Sequence, residues 1–150
     1  MPRTRRPAAR RVREDPSSPY AARRLLLDTH AWLWWQAGDR RLGPLARKAI
    51  VEAAEVLFSA ASAWEIAIKV SSGKLRPPRG ASIEKELELD GFHPLPVRFY
   101  HAEAVRALPT IHGDPFDRML VAQAKSEGLT LVTADGRLAA YVVPVLRATE

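Results

Sequence analysis

Short apolar runs alternate with amphipathic stretches along most of the chain, and this alternation predicts a repeated order of strands and helices. Strands are predicted at 24–28, 56–59, 92–96, 129–133 and 141–145. Helices are predicted at 31–36, 44–54, 62–72, 83–89, 98–108 and 117–127, with a short one near 137–140. Pro44 marks a helix start, while Gly73 and Gly128 mark helix ends. Apolar strands alternating with helices indicate an α/β fold with a parallel, doubly wound sheet.

Composition limits the class of protein. A chain of 150 residues is most simply one domain with a real core. No apolar run approaches the ~20 residues that span a membrane, and the Arg- and Pro-rich N-terminus lacks the apolar segment of a secretory signal. The absence of cysteine excludes disulfides, thiolate nucleophiles and Cys-ligated zinc, and it fits a reducing compartment. A cytoplasmic location is therefore expected.

The net charge of +6 is concentrated at the N-terminus. Residues 1–24 contain eight of the 23 Lys and Arg but only two of the 17 Asp and Glu, so the rest of the chain is electrically balanced. The composition predicts a disordered basic extension over 1–22 and a folded domain over 23–150. The extension is either dispensable, as in an over-long gene prediction, or an arm that attracts RNA phosphates.

Acidic residues stand where predicted strands end or predicted helices begin. They are Asp28, Glu65, Asp114, Asp117 and Asp135. The carboxyl ends of parallel strands share one edge of a sheet, so these side chains are expected to gather there. Carboxylates so close together repel unless a divalent cation joins them, and oxygen-only ligation suits Mg²⁺ or Mn²⁺.

Each of these carboxylates also has an ordinary structural explanation. Asp28 could cap a helix, and so could one member of the pair Asp114 and Asp117. Asp135 could stabilise a turn. Glu65 could form an exposed ion pair with the lysine four residues later, worth ~0.3–0.5 kcal/mol. One helix cap accounts for only one of Asp114 and Asp117 and leaves the other unexplained. Acidic positions at four places along one sheet edge favour a functional cluster over four unrelated structural roles.

Other residue patterns add less. The four histidines show no zinc-ligand spacing, although His30 and His112 lie close enough in sequence to Asp28 and Asp114 to touch a substrate. The aromatic cluster of Trp32, Trp34 and Trp35, like Trp64, could stack on bases, but core or dimer-interface positions are more typical of such residues. No serine-nucleophile elbow and no Gly-rich phosphate loop is present.

Four sequence motifs follow one another along the chain: LLLDTH at 25–30, SAASAWEIAIK at 59–69, HGDPFDRML at 112–120 and LVTAD at 131–135. Their order and approximate spacing resemble those of PIN domains, and most closely those of the VapC-type toxins of bacterial type II toxin–antitoxin pairs. The resemblance covers about residues 24–147. It implies a PIN-like three-layer fold with a central parallel sheet of four or five strands.

The resemblance also implies an activity. The chain would be a Mg²⁺- or Mn²⁺-dependent endoribonuclease that hydrolyses tRNA, rRNA or mRNA through a metal-activated water. It would form a homodimer without membrane association, and a cognate antitoxin would inhibit it. The implied catalytic and metal-binding residues are Asp28, Glu65, Asp117 and Asp135, with Asp114 as an auxiliary ligand. Candidate substrate contacts are Thr29, Ser62, Arg118 and Thr133.

Two other classes remain open from the sequence. A HAD-like phosphatase or phosphotransferase would use Asp28 as a covalent nucleophile, although such enzymes usually carry a second Asp two residues later, where this chain has His30. It would cleave small phosphomonoesters and show no nuclease activity. A non-catalytic RNA-binding module would tolerate loss of the acidic residues and bind RNA through its N-terminal extension.

Overall fold

Five short strands form one parallel sheet at the centre of the computed structural model, which describes residues 17–78, 80 and 82–150. The strands are β1 (Arg24–Leu27), β2 (Glu55–Ser59), β3 (His93–Leu95), β4 (Thr130–Thr133) and β5 (Val145–Arg147). Their order is β3-β2-β1-β4-β5, and every neighbouring pair is parallel. The chain adds β2 and β3 on one side of β1 and then adds β4 and β5 on the other side. The direction of strand addition therefore reverses between β1 and β4, and open parallel α/β sheets bind ligands at the carboxyl ends of such a pair of strands.

Helices cover both faces of this sheet. They are α1 (Thr29–Ala37), α2 (Pro44–Glu52), α3 (Ala60–Ser71), α4 (Ile83–Asp90), α5 (Phe99–Val105) and α6 (Pro115–Glu127), with a 3₁₀ helix at Gly136–Ala140. The fully buried run in β1 shows why a continuous apolar strand is needed. Leu25 and Leu27 belong to the hydrophobic core on one face, and Leu26 belongs to the core on the other. The predicted three-layer α/β fold is confirmed.

Three helices begin two residues earlier than the sequence pattern predicted, because the residue that ends or directly follows the preceding strand or loop already caps the helix. Asp28 accepts from the backbone N–H of Ala31, and Ser59 accepts from that of Ala61. Asp114 does the same for α6. The direct connections from β1 to α1 and from β2 to α3 place the first turns of these two helices at the carboxyl edge of the sheet.

The predicted final strand over 141–145 is wrong, since β5 runs from Val145 to Arg147. Pro144 has no N–H to give to a sheet ladder, and only its carbonyl takes part by accepting from Leu131 N at 2.9 Å. Tyr141 instead turns its ring into the core and is 3% exposed.

The tryptophan cluster belongs mainly to the core rather than to an interface. Trp32 is fully buried with its ring 4.7 Å from that of Phe58, and Trp35 packs on Phe92 at 5.5 Å. Trp34 is partly buried beneath the Arg41 guanidinium, 5.1 Å from the ring centre. Of the two positions considered for Trp32 and Trp35, core and dimer interface, the core is the one observed.

The predicted basic extension over 1–22 lies largely outside the described residues. Its last part, residues 17–22, forms turns that contact the domain: the Ser18 hydroxyl donates to the Glu52 carboxylate, and Tyr20 packs against the core beneath the Arg23 guanidinium. Residues 18 and 20 therefore contact the domain that the composition predicts over 23–150. Among the described residues, no helix combines the length and apolar character needed to cross a membrane.

Candidate active site

A pocket of about 280 Å³ opens at the carboxyl ends of β1 and β4. It is lined by Asp28, Thr29, His30, Glu65, Lys69, Asp114, Asp117, Ala134 and Asp135. All five carboxylates predicted to converge therefore lie in one place, although they come from four separate parts of the chain. The only ammonium group in this wall is that of Lys69, so the pocket carries a large excess of negative charge.

Asp28 both caps a helix and lines the pocket. Its carboxylate accepts from Ala31 N at 2.7 Å, and its own N–H donates to Val132 O at 2.9 Å, which ties it to β4. The side chain is almost completely buried, and this burial raises its pKa above the ordinary value of 3.8, against the lowering effect of a hydrogen bond with Thr133. The capping explanation is correct, and it coexists with a place in the acidic cluster.

Glu65 is held from two sides in the second turn of α3. Thr29 Oγ1 donates to one carboxylate oxygen at 2.5 Å, and Lys69 Nζ lies 2.8 Å from the other. The predicted pairing with the lysine four residues later is present, but the carboxylate itself is 7% exposed rather than solvated. An ion pair of this kind fixes the direction of the carboxylate more than it adds stability.

Asp114 and Asp117 have different tasks. Asp114 caps α6 by accepting from Phe116 N at 2.8 Å and from Asp117 N at 3.2 Å. Asp117 has no capping role, and its side chain is about a quarter exposed. Burial, followed by the negative charges of Asp114 and Asp28, raises its pKa to about 7. The charge of Asp117, when ionised, is therefore poorly compensated by its surroundings.

Asp135 is surrounded by donors. It caps the 3₁₀ helix through Arg137 N at 3.0 Å, and the Arg137 guanidinium approaches Oδ2 to 2.8 Å. Hydrogen bonding to that guanidinium holds the pKa of Asp135 far below its usual range. The predicted turn-stabilising role of Asp135 is present, so this carboxylate is structurally engaged as well as facing the pocket.

His112 completes the cluster, and the sequence pattern suggested for it only a contact with substrate. Its Nε2 lies 2.8 Å from Asp135 Oδ2 and 3.4 Å from Asp117 Oδ2. One ligand-type atom from each of these residues lies within 4.8 Å of the others. Its position two residues before Asp114 was the available signal, but spacing alone does not show which way the ring turns.

The four candidate substrate contacts occupy different environments. Thr29 lines the pocket, but its hydroxyl is bonded to Glu65. The side chains of Ser62 and Thr133 are buried, and the hydroxyl of Thr133 accepts from Asp135 N at 3.0 Å. Arg118 donates to the carbonyls of residues 105, 108 and 109, so its guanidinium anchors the loop before α6. Lys69, which the sequence did not single out for this purpose, is the cation that faces the pocket.

The donor set fits a hard divalent cation. Carboxylate oxygens are the ligands that Mg²⁺ and Mn²⁺ prefer. After burial, the negative charges of Asp114, Asp28 and Glu65 contribute to the raised pKa of Asp117, so this carboxylate lies in an excess of negative charge. A bound cation would relieve this repulsion, and Asp117, which caps nothing and has His112 Nε2 as a neighbour at 3.4 Å, is the carboxylate most available to it.

Comparison with known proteins gives consistent results. The model of the PIN domain family matches residues 25–143. Ribonuclease VapC22 of Mycobacterium tuberculosis is 31% identical over 121 residues, which cover 80% of this chain and 93% of that protein. Among solved structures, a toxin–antitoxin complex from Klebsiella pneumoniae has a TM-score of 0.59 at 19% identity, covering 84% of this chain and 98% of the other. FitAcB from Neisseria gonorrhoeae has a TM-score of 0.57 at 19% identity, with coverages of 83% and 97%.

Proposed function

This chain belongs to the PIN domain family, and on that premise we propose that it is a divalent-metal-dependent endoribonuclease and the toxin of a toxin–antitoxin pair. The observation that carries the proposal is the convergence of five carboxylates from β1, α3, α6 and the end of β4 in one pocket. The ribonuclease name of the Mycobacterium relative supports RNA as the substrate class.

The carboxylates have different roles in the proposed site. Asp28 and Asp117 would hold the cation, with Glu65 and Asp135 completing the acidic set and Asp114 close by. When bound, Mg²⁺ or Mn²⁺ would act as a Lewis acid toward water and toward the non-bridging oxygens of the phosphodiester. Asp114 fixes the first turn of α6, and so the position of Asp117, through its cap bonds.

Neighbouring side chains prepare this arrangement in advance. Thr29 and Lys69 keep Glu65 in a single orientation. The ammonium of Lys69 is about one-third exposed at the pocket wall, so it can also attract a phosphate oxygen of the substrate. Preorganised charges of this kind need little rearrangement when RNA arrives, which favours the transition state.

The alternative functions have less support. A covalent role for Asp28 conflicts with its burial and with its capping bond to Ala31, and position 30 holds a histidine where a phosphotransferase would place a second Asp. A passive RNA-binding module would have no use for mutually repelling carboxylates, which disfavour the approach of phosphates. The family match favours the nuclease over both.

We expect the purified full-length protein to cleave structured RNA in Mg²⁺ or Mn²⁺. EDTA should stop the cleavage, and an excess of Mg²⁺ should restore it, because the acidic cluster alone repels the substrate. Gel analysis of tRNA and rRNA fragments provides the measurement, and 4-nitrophenyl phosphate serves as the phosphatase control. Hydrolysis of the small ester without any RNA cleavage would contradict the proposal and favour the Asp28 nucleophile.

The proposed partners are an antitoxin and a second copy of this chain, acting in the cytoplasm. The Klebsiella structure is a toxin–antitoxin complex, and its fold covers most of this chain. Exposed apolar side chains offer interaction surfaces: Trp64 is 64% exposed beside the pocket, and Phe99 is 90% exposed. The negative pocket would accept an Arg or Lys of the antitoxin, which could pair with Asp28, Glu65 or Asp117 in place of the cation.

Co-expression with the small gene adjacent to this one should yield a stable complex. We expect size-exclusion chromatography to show the complex at a larger size than the dimer, and we expect RNA cleavage to be suppressed in it. An antitoxin variant in which the Arg or Lys that enters the pocket is replaced by Ala should still bind through apolar contacts but should inhibit RNA cleavage less. A monomer that binds no neighbouring gene product and does not arrest growth would overturn the toxin assignment, even if nuclease activity were present.

A further inference from the structure

We propose that His112 is a positioning residue, which orients the Asp135 carboxylate through its Nε2–H and does not bind the cation. The inference rests on the proposed function, because it concerns the same pocket. It goes against the simplest geometric interpretation, in which the nearby atoms of His112, Asp117 and Asp135 are three ligands of one ion. The hydrogen bonds of the imidazole ring decide between these two possibilities.

The ring has a fixed tautomer. The backbone N–H of Asp114 donates to Nδ1 of His112 at 2.9 Å, so Nδ1 must keep its lone pair. The single proton of the neutral ring is then on Nε2, which points to Asp135 Oδ2 at 2.8 Å. A nitrogen that ligates a metal needs its lone pair free, and here the proton occupies that place.

The ring is also fixed in space. His112 is 7% exposed, and its backbone N–H donates to the hydroxyl of Tyr141 at 2.9 Å. Tyr141 is itself buried, and Arg118 donates to the same hydroxyl at 3.3 Å while holding the carbonyl of Pro109 at 2.9 Å. The loop that carries His112 is therefore anchored at its backbone on one side and at its ring on the other.

The two side chains that donate to Asp135, those of Arg137 and His112, differ in how firmly they are held. The Arg137 side chain is 69% exposed and can leave the carboxylate for solvent when a cation arrives. His112 has no such freedom, because its ring is buried and bonded at both nitrogens. As a neutral donor it orients Asp135 without adding a positive charge that would compete with the cation. A hydrogen-bond donor behind a ligating carboxylate is the usual way that proteins fix the direction of such a ligand.

Two substitutions separate the nitrogens of the ring. The carbonyl of H112N can still accept from the Asp114 N–H, but the side chain is too short to donate to Asp135. The amide of H112Q reaches the position of Nε2 and can still donate to Asp135, but it loses the link to Asp114. We expect H112N to weaken Mn²⁺ binding by about 10–100-fold, the usual effect of losing such a partner, and H112Q to stay much closer to the parent protein.

The test combines calorimetric titration of the full-length proteins with Mn²⁺ and long-range ¹H–¹⁵N correlation spectra of the parent protein. The spectra should show a protonated Nε2 on His112 both without metal and in saturating Mg²⁺. Loss of that proton in Mg²⁺ would make His112 a ligand and overturn the inference, as would parent-like Mn²⁺ affinity in H112N. If H112N does not fold, the spectra of the parent protein and the Mn²⁺ affinity of H112Q decide whether His112 is a ligand or a positioning residue. A parent protein that neither binds Mn²⁺ nor cleaves RNA would instead refute the proposed function.

Discussion

Replacing Asp117 by Asn should reduce RNA cleavage at least about 100-fold while leaving the metal-free protein no less stable than the parent. Asn keeps the size of the side chain, but it removes the charge that would hold the cation. Stability should not fall, because Asp117 caps nothing and its pKa is raised to about 7 by burial and by Asp114 and Asp28. A carboxylate held in these surroundings costs folding free energy when it is ionised.

The assay compares single-turnover cleavage of one RNA, at saturating Mg²⁺, with thermal unfolding of the same samples in EDTA. D39N is the matched control, since Asp39 is an aspartate outside the pocket, paired with Arg41. Its cleavage rate should equal that of the parent protein. Full RNA cleavage in both D117N and D28N would refute the assignment of nuclease activity to this carboxylate cluster. A marked loss of stability in metal-free D117N would show that Asp117 has a structural role.

The stability of the metal-free protein should decrease between about pH 4 and pH 7, and Asp117 should account for much of the decrease. Its pKa is about 7 in the folded protein and 3.8 as an ordinary value. Between these values the folded protein keeps a proton that the unfolded chain has lost, so raising the pH favours unfolding. Solvent screens a side chain that is 23% exposed, and we therefore expect about 1–2 kcal/mol from this group between pH 5 and 7.5.

Urea unfolding in EDTA at pH 5 and pH 7.5 measures this effect, which should be smaller in D117N, where the raised pKa values of Asp28 and Asp90 still act in the same direction. The lowered pKa values of Asp39 and Asp135 act in the opposite direction and only at lower pH, so they do not mask the result. Adding Mg²⁺ should raise the melting temperature more at pH 7.5 than at pH 5, because a proton on Asp117 competes with the ion. Equal pH dependence in D117N and the parent would contradict the assignment.

Much of the fold could be predicted because it depends on local patterns. The Leu25–Leu27 run is apolar throughout, as a strand buried on both faces must be. The convergence of the carboxylates followed from the topology alone, since parallel strands place their carboxyl ends together. For Asp28 the capping explanation and a place in the acidic cluster do not exclude each other, since its side chain caps α1 and also lines the pocket.

The remaining features depend on contacts that sequence patterns do not contain. The position of β5 is set by Pro144 and by the packing of Tyr141 into the core. The burial of Trp32 depends on Phe58, which lies 26 residues away in the chain. The role of His112 depends on which nitrogen meets the Asp114 amide, and this is a question of ring orientation rather than of spacing. Long-range packing and hydrogen-bond direction are thus the information that was missing.

The sheet order has a consequence for the synthesis of this protein. β4 lies beside β1, although more than a hundred residues separate them, and Asp28 donates its backbone N–H to Val132 across that junction. The pocket that contains Asp28 and Glu65 is therefore incomplete until β4 and Asp135 have left the ribosome. Under the proposed function, a growing chain would therefore not cleave RNA before that last segment has emerged. The time between release of that last segment and capture by an inhibitor would set the exposure of the cell to the active enzyme.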